Sequence, residues 1–230
     1  MSATAPTIFL LSPARCSTTR ALALIEARSS SEVARLLHSS SGAPLGDVFA
    51  FLSSLYFRGK LTYARTFARP AGAAAGVYVI TPGAGLLVES QRIDAAGMRA
   101  FATTEVHHEN DAFCAPLVRD AQRLLQHAGP HARFVLLGSI ASAKYVAPLQ
   151  QALDNRLLFP ADFVGRGDMS RGGLLLRCAS EARELAYVPV LGATLHGPRP
   201  AKLPPLRSPA AERSSRPVRR AASKVTSASG

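Results

Sequence analysis

Residues 7–19 read TIFLLSPARCSTT. The run TIFLL is apolar at every position, so a strand built from it has no face for water and belongs inside a sheet covered on both sides. Ser12-Pro13-Ala14-Arg15-Cys16 then breaks the pattern, and Ser17-Thr18-Thr19 stands at the start of a helical stretch. A buried strand running through a small-residue loop into a helix is the building unit of an α/β fold.

The unit recurs along the chain. Apolar runs at 77–81, 134–137, 157–159, 173–178 and 186–190 predict further strands. Helical patterns fall between them at 17–26, 31–37, 115–127 and 144–153, the last with Pro148 either in its first turn or at a kink. Asp47 is a candidate cap for a longer helix whose apolar face is Phe49, Phe51, Leu52, Leu55 and Tyr56. The order predicts an α/β fold: a single mixed sheet flanked by helices, a helical insertion after the first strand and a C-terminal β-hairpin. Residues 1–196 form this one domain, with a flexible connector at 69–76 (RPAGAAAG).

The remaining residues, 197–230, differ in kind. Eight basic residues stand there against one acid, so seven of the twelve net positive charges lie beyond the domain. A Pro/Ser/Ala/Arg-rich segment cannot bury enough surface to offset its ordering entropy, and a disordered basic tail is predicted. Such a tail either attracts nucleic acid through counterion release or only keeps the chain in solution. No apolar run approaches the roughly 20 residues of a membrane-spanning helix, so no membrane partner is predicted. Three widely spaced cysteines without a C-x-x-C pair fit a reducing, cytoplasmic setting.

Ligands of wound α/β sheets gather at the carboxyl ends of the strands. Three such ends carry small-residue loops: Ser12 to Cys16, Thr81-Pro82-Gly83-Ala84-Gly85, and Gly138-Ser139-Ile140-Ala141-Ser142 ahead of Lys144-Tyr145. Their exposed N–H groups suit an anion, although none has a full Walker or dinucleotide fingerprint, and no cofactor is predicted. Lysine is scarce: 23 arginines accompany four lysines, of which only Lys60 and Lys144 fall within residues 1–196. Lys60 stands near Tyr63, and Lys144 beside Tyr145. An amine whose pKa falls on burial can serve as nucleophile or proton carrier where arginine cannot; two ordinary surface lysines are the plainer alternative.

FVGRGDMSRGG, residues 163–173, packs four glycines, two arginines and an aspartate between apolar runs. Arg166 and Arg171 can clamp a phosphate or carboxylate, with Asp168 orienting them or acting as a base and Ser170 adding a hydroxyl. The plainer reading is a glycine-rich turn closed by an Arg–Asp pair. EVHHEN at 105–110 has metal-binding residue types, but adjacent histidines point apart, so a solvated loop is predicted and no metal site. Cys16, beside Arg15 and a helix start, is either a reactive thiol or, more commonly, a small buried one.

These pieces together resemble the YaaA peroxide-stress family and related small bacterial and phage domains. IFLLSPARC, LYFRGKLTY, VYVITPGAGLL, VLLGSIASAKYV, GRGDMSRGGLLLR and LAYVPV occur in the family's order over residues 8–190. The resemblance implies a cytosolic mixed α/β protein that binds DNA and acts in the oxidative-stress response. It places Ser12, Arg15, Lys60, Gly85, Lys144, Tyr145, Met169, Ser170 and Arg171 in matching motifs. The loop after Leu86, EVHHEN and the basic tail depart from it.

Three functions stay open on these residues. One is a nucleic-acid-binding protein with a cleft for a phosphate or nucleotide-like group, built from Ser12, Arg15, Tyr63, Gly85, Ser139, Tyr145, Arg166, Ser170 and Arg171 together with both lysines. Another is an enzyme acting on a nucleotide or nucleobase through Lys60, Lys144 and Asp168. The last is an interaction module without pocket chemistry.

Overall fold

The structure, a computed structural model, describes residues 5–70 and 72–203. The chain opens with β1 (Thr7–Leu11), every residue of which is buried. Four helices follow, interrupted by a two-residue strand: α1 (Thr19–Ile25), α2 (Glu32–Leu37), β2 (Ala43–Pro44), α3 (Leu45–Leu52) and α4 (Ser54–Phe67). Thr18 and Ser31 cap α1 and α2 by accepting from Ala21 N and Ala34 N. Next come β3 (Val77–Thr81), β4 (Gly85–Val88), β5 (Arg92–Ile93), α5 (Ala95–Thr103), α6 (Asp111–His127) and β6 (Arg133–Leu137). The chain continues through α7 (Ala143–Leu153), β7 (Leu157–Pro160), α8 (Asp168–Ser180) and β8 (Tyr187–Pro189).

Six strands form one mixed sheet in the order β4-β3-β1-β6-β7-β8. The central four are parallel, while β4 and β8 close the edges antiparallel. From β1 the chain moves first to β3 on one side and later to β6 on the other. The β1/β6 boundary is thus the point where the winding reverses, and loops leaving it part to open a crevice. Complete burial of Ile8, Phe9, Leu10 and Leu11 follows from cover on both faces. Phe9 meets the rings of Tyr63 and Tyr187 edge-on, at centroid distances of 5.8 and 6.0 Å.

Three local expectations change. Residues 173–178 are helical, within α8, and the antiparallel C-terminal pair is formed by β7 and β8. Arg171, Leu174, Leu175 and Cys178 are buried at a spacing of three and four that makes one helix face, and Gly172 beside them is buried as well. A short apolar run looks the same in either state, and the preceding residues decide it here. Asp47 caps nothing: it lies within α3, and the expected single helix is two, α3 and α4, parted at Ser53. Pro148 sits past the first turn of α7, which runs through it, leaving the Lys144 carbonyl without its usual amide donor.

Residues 204–230, which carry most of the predicted tail, lie outside the described residues. The described part of that segment lies against the domain, with Gly197 beside Val164 and Leu203 near Gly173.

Candidate functional site

A cleft of about 680 Å³ opens where the winding reverses. Ser12 to Cys16 enter it from the end of β1, Ser139 from the end of β6, and Lys144 and Tyr145 from the first turn of α7. Tyr56 of α4 and Asp168 of α8 contribute to its wall. Phe101 to Val106, at and beyond the end of α5, face them. The volume is that of an ordinary small-molecule site.

Beneath this lining lies Lys60, 1% exposed. Its Nζ donates to the Ser12 carbonyl at 2.5 Å and to Ser12 Oγ at 2.9 Å. The rings of Tyr56 and Phe57 lie 4.5 and 4.8 Å from the nitrogen. Loss of solvent lowers the amine to about 7; the Asp168 charge opposes this and the Arg171 charge assists it. A lysine so placed carries or releases a proton at neutral pH.

Arg171, 6% exposed, turns inward. Its Nη2 donates to the Phe163 carbonyl at 3.0 Å and its Nη1 stands 3.8 Å from Asp168 Oδ1. Tyr56 is buried, and its hydroxyl makes no hydrogen bond of good geometry among the described residues, although Arg171 is close enough to act on it. Burial pushes that hydroxyl up to about 12, so it stays a neutral donor. Tyr145 is raised as well, chiefly by burial.

A pair of glycines brings these groups together. A Cβ on Gly172 would stand 2.9 Å from the Leu55 carbonyl oxygen and from Tyr56 Cα, and one on Gly59 would stand 2.7 Å from the Gly172 oxygen. With hydrogen at both positions, α4 and α8 approach backbone to backbone. Tyr56 and Lys60 on one helix thereby share a charge cluster with Asp168 and Arg171 on the other.

Of the candidate residues, Ser12, Arg15, Ser139, Lys144, Tyr145 and Asp168 line the cleft, with Lys60 and Arg171 directly behind it. Four do not reach it. Tyr63 belongs to the core, its hydroxyl accepting from Leu185 N and meeting the Tyr187 hydroxyl at 2.7 Å. Gly85 begins β4 at φ +70° and packs against Pro116 and Asp120 of α6, because PGAG turns a hairpin and not a strand-to-helix loop. Arg166 bonds the Asp162 carbonyl and Ser170 Oγ, so Arg166 and Ser170 satisfy each other away from the lining. The expected Arg166–Arg171 clamp is therefore not assembled, and the Arg171–Asp168 pairing takes its place.

Residues not anticipated include Tyr56, Ser53, Phe101 and the stretch Thr103 to Glu105. Tyr56 had a sequence signal, standing one helical turn before Lys60. The α5 end had none. EVHHEN is a loop, as expected, though Glu105 and Val106 contribute to the cleft. Cys16 is buried, and desolvation pushes its thiol up to about 12, which makes it a poor nucleophile.

The fold and the site define an α/β protein with a polar, cation-bearing cleft at the reversal point of its sheet. Compared with protein-family models, with curated proteins and with solved structures, the chain matches none. Among the described residues no helix is long and apolar enough to cross a membrane.

Proposed function

We propose that this chain is a cytoplasmic, nucleic-acid-associated protein of the YaaA type whose cleft takes a phosphate-bearing, nucleotide-like group. One observation carries the reading: Arg15 and Lys144 converge with Ser12, Ser17 and Ser139 on one cleft at the reversal point. Cations supply charge-assisted donors for a phosphate, and the serines supply neutral ones. Aromatic and apolar lining from Phe101, Pro13 and Pro82 suits the flat face of a base.

Calorimetry with a mononucleotide and its matching nucleoside tests this. The phosphate form should bind more tightly, and the double variant Arg15→Ala, Lys144→Ala should weaken it by at least about tenfold per lost charged hydrogen bond. Equal affinity for both ligands, or no binding of either, would overturn the reading.

A second reading is favoured by Lys60, whose burial and near-neutral titration suit proton transfer more than ligand binding. In it the chain is an enzyme acting on a nucleotide or nucleobase, with Lys60 as acid or base. Asp168 biases Lys60 through its charge, and Lys144 holds the substrate.

A further inference from the structure

The geometry points to a nucleophilic dyad, with Ser12 Oγ as the attacking atom and Lys60 Nζ as its general base, acting on an acyl ester whose phosphate-bearing part lies against Arg15 and Lys144. This rests on the cleft reading for the phosphate handle alone; the dyad stands on its own contacts.

Ser12 belongs to the cleft lining although it is a buried residue, and its hydroxyl is fixed between Lys60 Nζ and the Leu137 carbonyl instead of ranging through solvent. Lys60 Nζ lies 2.9 Å from that hydroxyl, and Lys60 itself is not part of the cleft lining. A base behind a serine, with the ligand space in front, is the arrangement that nucleophilic catalysis needs. Lys60 makes no ion pair among the described residues. The groups facing it are Ser12 of the β1 end, the Tyr56 and Phe57 rings of its own helix, and Asp168 and Arg171 of α8.

Protonation sets the direction of the bonds. As an ammonium, Lys60 donates to both the carbonyl and the hydroxyl of Ser12. As an amine it keeps one N–H on the carbonyl and turns its lone pair to the hydroxyl proton. The other acceptor for that proton, the Leu137 carbonyl, is farther at 3.4 Å. Titration near 7 makes the amine form available at neutral pH. Tyr56, on the same cleft wall, keeps its hydroxyl buried and protonated beside Arg171.

The steps balance without a further reagent except water. Ser12 Oγ bonds to the acyl carbon, the carbonyl electron pair moves to oxygen, and the hydroxyl proton passes to Lys60 Nζ. Collapse breaks the ester C–O bond, and the leaving alkoxide takes that proton. Water then adds to the acyl-serine with its proton going to Lys60, and collapse returns the proton to Ser12 and releases the carboxylic acid.

Labelling of the full chain by an alkyl fluorophosphonate, read by intact mass and peptide mapping, tests the dyad. Serine attack forms an O–P bond, expels fluoride and leaves one adduct. One adduct on Ser12 is expected, with a rate that rises with pH through the region near 7 and falls at least about 100-fold in Lys60→Met. Ser12→Ala removes a single oxygen and should abolish labelling while the chain still unfolds in one cooperative melt. Absence of an adduct, an adduct that maps elsewhere, or an unchanged rate in Lys60→Met overturns the proposal. Mononucleotide calorimetry on the same preparation separates the two readings. Binding without labelling defeats the dyad and spares the cleft, whereas labelling without binding supports the dyad and removes its phosphate handle.

Discussion

Lys60 is buried with an oxygen-rich but uncharged partner, and that combination is costly. Two contacts to Ser12 replace a full hydration shell, and the Asp168 charge acts only from a distance. The folded chain therefore holds the proton less tightly than the unfolded chain, whose lysine titrates at the ordinary value of 10.5. Between about 7 and 10.5 the unfolded state binds more protons, so the Lys60 contribution to stability rises with pH across that window. Below 7 both states are protonated and the full cost of the buried charge remains. The size of the rise is on the order of 5 kcal/mol. Lys60→Met removes the titrating group while retaining apolar volume. Denaturation of both proteins at pH 6 and pH 9.5 should show the variant gaining on the wild type at pH 6 and losing that advantage at pH 9.5. A difference between the two proteins that does not change with pH would show that Lys60 is not desolvated in the folded chain.

At the scale of elements, the contact of α4 with α8 determines whether the site exists. Gly59 and Gly172 stand where the helices touch, and a methyl group at 172 meets backbone atoms of Leu55 and Tyr56 that cannot rotate away. Gly172→Ala should push the helices apart at a cost of about 1–3 kcal/mol. It should also admit water to Lys60 and return its titration toward the ordinary value, so Ser12 labelling at neutral pH slows while the fold persists. Unchanged stability and labelling in Gly172→Ala would mean that the helices do not meet at this point. The same contact explains what could be read in advance. Strand runs and the loops after them revealed the sheet and hence Ser12, Arg15, Ser139, Lys144 and Tyr145, because that chemistry is local in sequence. Scarcity picked out Lys60. The role of Gly172 was not legible, since a glycine beside an arginine looks alike whether a ligand or a helix approaches it. Gly85 misled for a similar reason: PGAG is compatible with a helix start or a hairpin, and only the pairing of β3 with β4 decides. Tyr63 stood three residues from Lys60, close enough to be grouped with it but on the core side of the same helix.

For the whole molecule, size separates two kinds of binding. A cleft of about 680 Å³ has room for one nucleotide-sized group and not for a duplex. If the chain binds a nucleic-acid polymer, as proposed, that affinity comes from charge spread outside the cleft. Arg207, Arg213, Arg216, Arg219, Arg220 and Lys224, opposed only by Glu212, form the densest run of such charge in the sequence. Each phosphate neutralised releases condensed counterions, so polymer affinity carries a steep salt dependence that recognition by a few fixed donors does not. Truncation after Leu203 should flatten the plot of log affinity for double-stranded DNA against log salt by roughly four to five, the slope expected of five or six lost phosphate contacts. The same truncation should leave mononucleotide affinity unchanged, because Arg15, Lys144 and the serines all belong to the retained domain. Conversely, Arg15→Ala with Lys144→Ala should remove mononucleotide binding and move the DNA slope by no more than about two. Fluorescence anisotropy with labelled duplex at several salt concentrations, run beside mononucleotide calorimetry, reads both quantities. Equal slopes for the full and truncated chains would place the polymer contacts on the domain itself and join the two activities into one site.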